Sequence, residues 1–225
     1  MKVLAIDTAT ERCSVALRID GDTIERNVDT PRGHADLILP MVDALLTEAG
    51  VTLRQLDGIA YGRGPGGFTG VRIAVGVVQG LAFGAGLPTA GVSNLAAVAQ
   101  QVAPPGGRVL VCMDARMGEV YWSSFQHDPQ TGLVAALEAE LVGPPDSVVP
   151  TATGITLLAG TGLRAYPQIA AAFAGTLANV LPDILPRARD IAFMGEAELR
   201  LGRGVAAAEA QPVYVRDQVA VAKRM

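Results

Sequence analysis

The first residues of the chain have the apolar pattern of β-strands. Residues 2–6, 13–19 and 23–29 are apolar or alternate between apolar and polar positions, as strands do. The sequence Asp-Gly-Asp at 20–22 provides a tight turn between the second and third segments. A β-meander is therefore predicted at the start of the chain.

Three helices are predicted after this meander. Apolar residues recur at helical spacing over residues 34–49 and 69–86, and a third helical pattern ends near Val102. Apolar segments at 56–64 and 88–94 precede the second and third helices and are predicted to be strands. This alternation of strands and helices is typical of an α/β lobe.

The proline- and glycine-rich segment 103–107 separates two parts with the same layout. Residues 108–125 repeat the order of residues 2–19, which is an apolar strand, an Asp at its end, a short polar turn and a second strand. Asp114 therefore takes the place of Asp7 in the second part.

We interpret this break as a domain boundary. It gives one lobe at 1–102 and a smaller one at 108–205, with the tail 206–225 available to rejoin the first lobe. In the second lobe the patterns predict a third strand at 136–144, a helical segment at 146–153, a strand at 155–163, a helix at 186–204 and a closing extended segment at 211–217.

Two copies of a β-β-β-α order, each with an Asp at the end of its first strand, predict a duplicated α/β protein with a cleft between its halves. The layout resembles the actin, sugar kinase and Hsp70 ATPase superfamily, which implies two lobes, each with a β-meander sheet and flanking helices. In that superfamily the meander turns hold phosphates through backbone N–H groups, and the Asp holds a magnesium ion or its water.

This resemblance makes the strand-terminal turns candidate nucleotide contacts. Ordinary side-chain-capped turns contain the same residue types, and the turn after Asp114 lacks the small residues that favour close approach to a phosphate. The glycine-rich segment 62–70 also lacks the lysine of a Walker A motif. The candidate nucleotide contacts are Asp7, Thr8, Thr10, Asp114, Gly160 and Gly162.

Composition and charge argue against several other functions. The formal net charge is -4 and no cluster of Lys or Arg is present, which disfavours a stand-alone nucleic-acid binder. Cys13 and Cys112 are too few and too far apart for a disulfide scaffold, and His34 and His127 are too far apart for a helical zinc site. We therefore expect no metal and no cofactor. The apolar run at the N-terminus is too short for a signal peptide, so the protein is expected to be cytoplasmic, and the apolar helix at 73–87 is too short for a membrane anchor.

Gly76, Gly80 and Gly84 form a stripe of small residues along the second predicted helix. Each glycine lowers helix stability by roughly 1 kcal/mol relative to alanine, so the stripe indicates that something approaches the backbone closely. Two explanations are open. The stripe packs on the chain's own sheet or first helix, or it meets another molecule.

The first helix also has a broad apolar face. This face is wider than the stripe of apolar residues that packing on a single sheet requires. Two neighbouring helices with surplus apolar surface suggest a helical dimer interface. The candidate interface residues are His34, Leu37, Ile38, Met41, Leu45, Arg72, Ile73, Gly76, Val77, Gly80, Leu81 and Gly84.

Four motifs together resemble the TsaB family of bacterial tRNA threonylcarbamoyladenosine biosynthesis proteins. They are VLAIDTAT at 3–10, GRGPGGFTGVRIAVGVVQGLAFG at 62–84, DARMGEVYW at 114–122 and PVYVRD at 212–217. The family usually has Ser in the place of Gly67 and Gly in the place of Ala74, so a role for a Ser hydroxyl in this loop is in doubt.

The resemblance implies an actin-like subunit without catalysis of its own. It implies a heterodimer with the paralogous TsaD transferase through the helices at 34–49 and 70–85, and a pathway shared with the TsaE ATPase and threonylcarbamoyl-AMP synthase. It also implies that tRNA is held mainly through the complex, and exposed apolar helices favour a homodimer when the chain is alone. The alternative is a small-molecule kinase of the same superfamily that uses Mg-ATP between Asp7 and Asp114.

Overall fold

The protein is built on two mixed β-sheets, and its computed structural model describes residues 1–150, 152–173 and 179–216. The predicted meander is confirmed, and two further strands complete the first sheet. Its strands are β1 (Lys2–Asp7), β2 (Arg12–Ile19), β3 (Asp22–Asp29), β4 (Gly58–Gly62) and β5 (Thr89–Val92).

The first sheet has the strand order β3-β2-β1-β4-β5. The pairs within the meander are antiparallel, whereas β4 runs parallel to both β1 and β5. Because side chains alternate along a strand, Leu4 and Ile6 of the central strand enter one core cluster, and Val3 and Ala5 enter another on the opposite face. The sheet is therefore buried on both sides.

The second sheet repeats this arrangement. Its order is β11-β10-β6-β7-β8, with β9 also paired to β7; β6 and β7 are antiparallel, and β10 runs parallel to β6 and β11. The repeat confirms the predicted duplicated α/β fold. The strands are β6 (Arg108–Arg116), β7 (Glu119–His127), β8 (Val134–Ala136), β9 (Leu141–Gly143), β10 (Leu157–Ala159) and β11 (Asn179–Leu181).

Helices cover both faces of each sheet. Glycines in the left-handed conformation, Gly50 and Gly86, end the first two helices, with φ angles of 63° and 70°. The helices in the described part of the chain are α1 (His34–Ala49), α2 (Phe68–Ala85), α3 (Asn94–Val102), α4 (Gly162–Ala165), α5 (Pro167–Ala172) and α6 (Ala188–Arg200).

The layers follow the order α1 and α2, first sheet, α6 and α3, second sheet, α4 and α5. Each inner helix covers the sheet of the other half, since α3 follows β5 in sequence but packs on β6 and β7, while α6 packs on β1, β2, β4 and β5. Helix α6 approaches its sheet so closely that a Cβ on Gly195 would overlap the side chain of Ala60.

The division into lobes at 1–102 and 108–205 remains a prediction. Helix α3 lies in the first of these segments and α6 in the second, but each packs on the sheet of the other segment, so the two segments share their cores. Beyond α6, residues 206–213 return to the first sheet's side, where Gln79 of α2 donates a hydrogen bond to the carbonyl of Ala210 at 2.9 Å. The chain therefore closes on its own first half.

Two predicted elements of the second lobe differ from the structure. The single strand expected at 136–144 is two short strands, β8 and β9, that pair with opposite ends of β7. The helical segment expected at 146–153 was wrong, because only a 3₁₀ turn at Pro145–Ser147 forms there, although Thr151 lies outside the described residues. Prolines at 144, 145 and 150 remove the N–H donors that a helix needs.

Candidate functional site

The glycine-rich segment Gly62–Gly70, here called the glycine loop, packs directly on the turn after β1. A Cβ on Gly70 would overlap the carbonyl of Thr8, and one on Gly66 would lie 2.6 Å from the carbonyl oxygen of Ala9. The Gly67 N–H donates a hydrogen bond to the same Ala9 carbonyl at 2.7 Å. The glycines are therefore needed for close approach of two backbone segments.

Asn94, the first residue of α3, ties the glycine loop to β1. Its Nδ2 donates to Asp7 Oδ1 at 2.7 Å, and its Oδ1 accepts from the Gly64 N–H at 2.8 Å. Its own N–H donates to the Gly64 carbonyl at 3.0 Å. The sequence interpretation missed Asn94, because this role depends on α3 starting beside β1, which the local sequence does not encode.

Asp7 is fully enclosed by these contacts. Burial raises the pKa of its carboxyl group from 3.8 to about 6, although hydrogen bonds from Asn94 and Ala9 act in the opposite direction. Its Oδ2 atom is buried without a hydrogen-bond partner among the described residues. A Cβ on Gly62 would overlap Asp7 Oδ1, so the loop leaves no space on that side of the carboxylate.

A cleft of about 1350 Å³ opens between the two halves beside this turn. Thr8 and Thr10 lie on one wall, and Asp114 and Thr161 lie on another. The Thr8 hydroxyl donates to the Gly70 carbonyl at 2.7 Å. The Thr10 hydroxyl accepts from the Arg12 N–H at 3.2 Å, so both hydroxyls already serve internal turns.

The second strand-terminal Asp is also engaged by its own turn. Asp114 Oδ1 accepts from the Arg116 N–H at 2.8 Å, and Asp114 Oδ2 lies 3.0 Å from the Arg116 guanidinium. Gly160, with φ of 105°, and Gly162 are buried against the backbone of Cys112. Of the predicted nucleotide residues, the structure thus brings Thr8, Thr10 and Asp114 to the cleft, whereas Asp7, Gly160 and Gly162 are buried behind it.

Along its glycine stripe, the outer face of α2 has no cover from the described residues. A Cβ on Gly76, Gly80 or Gly84 would meet nothing within 4 Å, so the explanation that the stripe packs on the chain's own sheet or first helix is wrong. Phe83 on the same face is 83% exposed, and Arg72 is exposed as well. We call Arg72, Gly76, Gly80, Phe83 and Gly84 the outer face of α2.

Helix α1 contributes less to this surface than its sequence suggests. Ile38, Met41 and Leu45 lie in the first core cluster, against the sheet, and are 0%, 8% and 0% exposed. Their assignment to a partner interface is therefore corrected, because the sheet itself takes up the broad apolar face. Leu39, which the sequence interpretation omitted, is 49% exposed.

The remaining predicted interface residues lie between core and surface. They are partly buried side chains at the edges of the two helices, where a partner could still reach part of each one. These residues are His34, Leu37, Ile73, Val77 and Leu81.

By length and composition, α2 is the one helix in the described part of the chain that could cross a membrane. These two properties do not distinguish a membrane span from a helix that pairs with another protein. Only 28% of the residues in this span are buried, and the exposed ones include Arg72, Gly76, Gly80, Phe83 and Gly84.

Among residues 1–150, 152–173 and 179–216, no three His, Cys, Asp or Glu side chains converge as a metal site would require. The His34 ring is engaged in the fold, where its Nε2 lies 2.9 Å from the Thr10 carbonyl oxygen.

Comparisons of the sequence with known proteins match a TsaD family model and TsaB relatives. A family model described as "TsaD: tRNA N6-adenosine threonylcarbamoyltransferase" matches residues 28–223. The Escherichia coli (strain K12) tRNA threonylcarbamoyladenosine biosynthesis protein TsaB is 44% identical, over 98% of this chain and 96% of that protein. The Haemophilus influenzae protein of the same name is 36% identical over 97% of this chain and 95% of its own length.

A solved structure gives the same result for the fold. A Pseudomonas aeruginosa protein described as having similarity to peptidase YEAZ superposes with a TM-score of 0.87 and 42% identity, over 96% of this chain and 99% of the other. A second structure, described as YeaZ from Pseudomonas aeruginosa, has a TM-score of 0.85 and 41% identity over 95% of this chain and 100% of the other.

Proposed function

This chain belongs to the TsaB family of tRNA threonylcarbamoyladenosine biosynthesis proteins, and we propose that it is the non-catalytic scaffold subunit of the threonylcarbamoyl-transfer complex. A role in tRNA threonylcarbamoyladenosine biosynthesis follows from the family. The scaffold role and the heterodimer with a TsaD transferase are our proposal. In it, the subunit binds the transferase and supports transfer to the adenosine next to the anticodon.

The outer face of α2 carries this proposal. Three exposed glycines on one helix face lower its stability by roughly 1 kcal/mol each relative to alanine. Nothing in the described chain lies within 4 Å of where their Cβ atoms would be. A helix from another protein that packs along this stripe would gain a close backbone approach, and Phe83 beside it offers a large apolar side chain for burial.

The surroundings of Asp7 and Asp114, the two carboxylates among the candidate nucleotide contacts, support a non-catalytic role. The Asp7 carboxylate is enclosed by the glycine loop and Asn94, and Asp114 is engaged by Arg116. A kinase of this superfamily would need these carboxylates turned toward Mg-ATP. The contacts therefore weigh against the alternative of a small-molecule kinase.

The further partners belong to the same proposal. A TsaE ATPase and threonylcarbamoyl-AMP synthase would act with the heterodimer, and tRNA would be held mainly through the complex because this chain has a formal net charge of -4. Without the transferase, the outer face of α2 would favour a homodimer.

Reconstitution tests the proposed function. Threonylcarbamoyladenosine formation is measured on unmodified tRNA with the matching transferase, ATPase and synthase, with and without this chain. We expect product to depend on the chain, and we expect the chain with the ATPase and synthase, but without the transferase, to give none. Equal product with and without the chain would contradict the scaffold role. Product without the transferase would contradict the non-catalytic role.

A further inference from the structure

The segment 205–216, here called the strap, runs from α6 back across the first half of the molecule. Val205 exchanges backbone hydrogen bonds with Thr89 at 2.8 and 2.9 Å. The Gln211 N–H donates to the Tyr61 hydroxyl at 3.0 Å, and the Val213 N–H donates to the Arg63 carbonyl at 2.7 Å. The strap is therefore fixed to β4, β5 and the glycine loop along most of its length.

The end of the strap crosses to the second half. Arg216 donates to the Ala115 carbonyl of β6 at 3.2 Å and forms an ion pair with the carboxylate of Glu119, the first residue of β7, so it contacts the two strand ends beside their turn. The Arg216 side chain is 19% exposed, whereas Arg164, which pairs with Glu11 across the cleft, is 59% exposed. Because solvent weakens exposed pairs, the Arg216 contact is better shielded than the Arg164 pair, and a third, partly buried pair between Arg63 and Glu140 also joins the halves.

The strap also separates two cavities. Val213, Tyr214 and Val215 line the cleft of about 1350 Å³, and the same three residues line a second cavity of about 680 Å³. The second cavity is lined from both halves, by apolar residues such as Val92 and Phe125 and by the charged residues Arg63, Glu140 and Glu198. Movement of the strap would therefore change the space between the two halves on both sides.

Tyr214 connects the strap to the outer face of α2. Its ring centroid lies 6.0 Å from that of Phe68, and the Arg72 guanidinium lies 4.8 Å from the Tyr214 centroid and 3.2 Å from the Phe68 centroid. Arg72 thus stacks against both rings. One short segment contacts both the proposed partner face and, two residues later, the second half of the molecule.

We propose that the strap sets the separation of the two halves and couples it to occupation of the outer face of α2. A partner that contacts Arg72 would bias the position of Tyr214, and Arg216 would transmit that change to the turn between β6 and β7. The coupling between partner binding and the separation of the halves rests on the proposed function. The effect of the strap on that separation concerns the isolated chain alone.

The first test measures the separation of the halves. Spin labels are attached to Asp36→Cys and Ala165→Cys, two exposed positions on opposite sides of the cleft. Burial raises the pKa of the native Cys13 and Cys112 thiols and keeps them protonated, so they react slowly with the label. Distance distributions are then compared by pulsed electron paramagnetic resonance.

Arg216→Gln and Glu119→Gln each remove the same ion pair from one side, so both should shift or broaden the distribution in the same way. Arg26→Gln is the matched control, because it removes an exposed ion pair with Glu48, and neither of these residues lines the cleft or the second cavity. An unchanged distribution in either Arg216→Gln or Glu119→Gln would overturn the proposal, as would an equal shift in the control.

The second test measures affinity for the TsaD transferase. Arg216→Gln, whose side chain contacts Ala115 and Glu119 and is not part of the outer face of α2, should weaken binding by about fivefold or more, as coupled sites commonly do. A shifted distance distribution with unchanged affinity would overturn the coupling. If the transferase does not bind the wild-type chain, the proposed function fails. The spin-label distances still show whether the strap sets the separation of the two halves, because they are measured on the isolated chain.

Discussion

Asp7 stands where the actin-like resemblance expects a metal-binding carboxylate, but the glycine loop fills its surroundings. Asn94 donates to it, and a Cβ on Gly62 would overlap it. The carboxylate therefore acts as an internal acceptor that joins β1, the glycine loop and α3. The glycines of the loop are therefore explained by close packing on the turn after β1, and phosphate binding is not needed to explain them.

The pH dependence of stability tests this enclosure. The pKa of Asp7 is about 6 in the folded chain, above its ordinary value of 3.8, so folding favours the protonated form. The associated stability is present below pH 4 and is lost as the pH rises through about 6. We expect wild-type unfolding free energy to fall by roughly 1 kcal/mol more than that of Asp7→Asn between pH 5 and 7.5.

Urea denaturation of both proteins at several pH values measures this difference. Asp190, whose pKa burial also raises, is present in both proteins and cancels in the comparison. Parallel pH profiles for the two proteins would show that Asp7 is not enclosed as described.

At the residue scale, the sequence predicted which residues lie at the strand ends near the cleft, but not the hydrogen bonds that these residues make. Asp7, Thr8 and Asp114 are strand-terminal, and strand ends can be located from the apolar pattern. The contacts of Asn94 with Asp7 and Gly64 depend on where α3 begins relative to β1. That position results from packing across the whole fold, which local patterns do not contain.

At the element scale, α1 and α2 have similar apolar patterns but different surroundings. Sequence periodicity predicted both helices and the glycine stripe, since period and residue type are local properties. It could not separate the side of each helix that faces the sheet from the side that faces outward. Ile38 and Leu45 therefore proved to be core residues, whereas Gly80 is exposed.

Replacing a stripe glycine tests whether the stripe serves the isolated chain. A Cβ on Gly80 meets nothing within 4 Å, so Gly80→Ala should raise the unfolding free energy by up to about 1 kcal/mol through higher helix propensity. The same change at Gly86, where φ is 70°, should instead lower it by about 1 kcal/mol. Chemical denaturation measures both, and a destabilised Gly80→Ala would mean that the stripe has a contact within the chain.

At the scale of the whole molecule, the two inner helices hold the duplicated halves together. Helix α3 covers the second sheet and α6 covers the first, so neither half buries its sheet with its own sequence segment alone. The duplication was predictable because both copies begin with the same order of strand, Asp and turn. The exchange of helices was not, because a helix that is apolar on one face can pack on either sheet.

Binding of the TsaD transferase to variants of α2 tests the scaffold role most directly. Sedimentation velocity compares wild type, Gly80→Leu and Ala171→Leu, the last adding a large side chain at an exposed position on α5 in the second half. The account predicts a heterodimer with wild type and Ala171→Leu, and none with Gly80→Leu, whose circular dichroism spectrum should remain that of a folded chain. A tight complex with folded Gly80→Leu would contradict the assignment of the outer face of α2 as the partner surface.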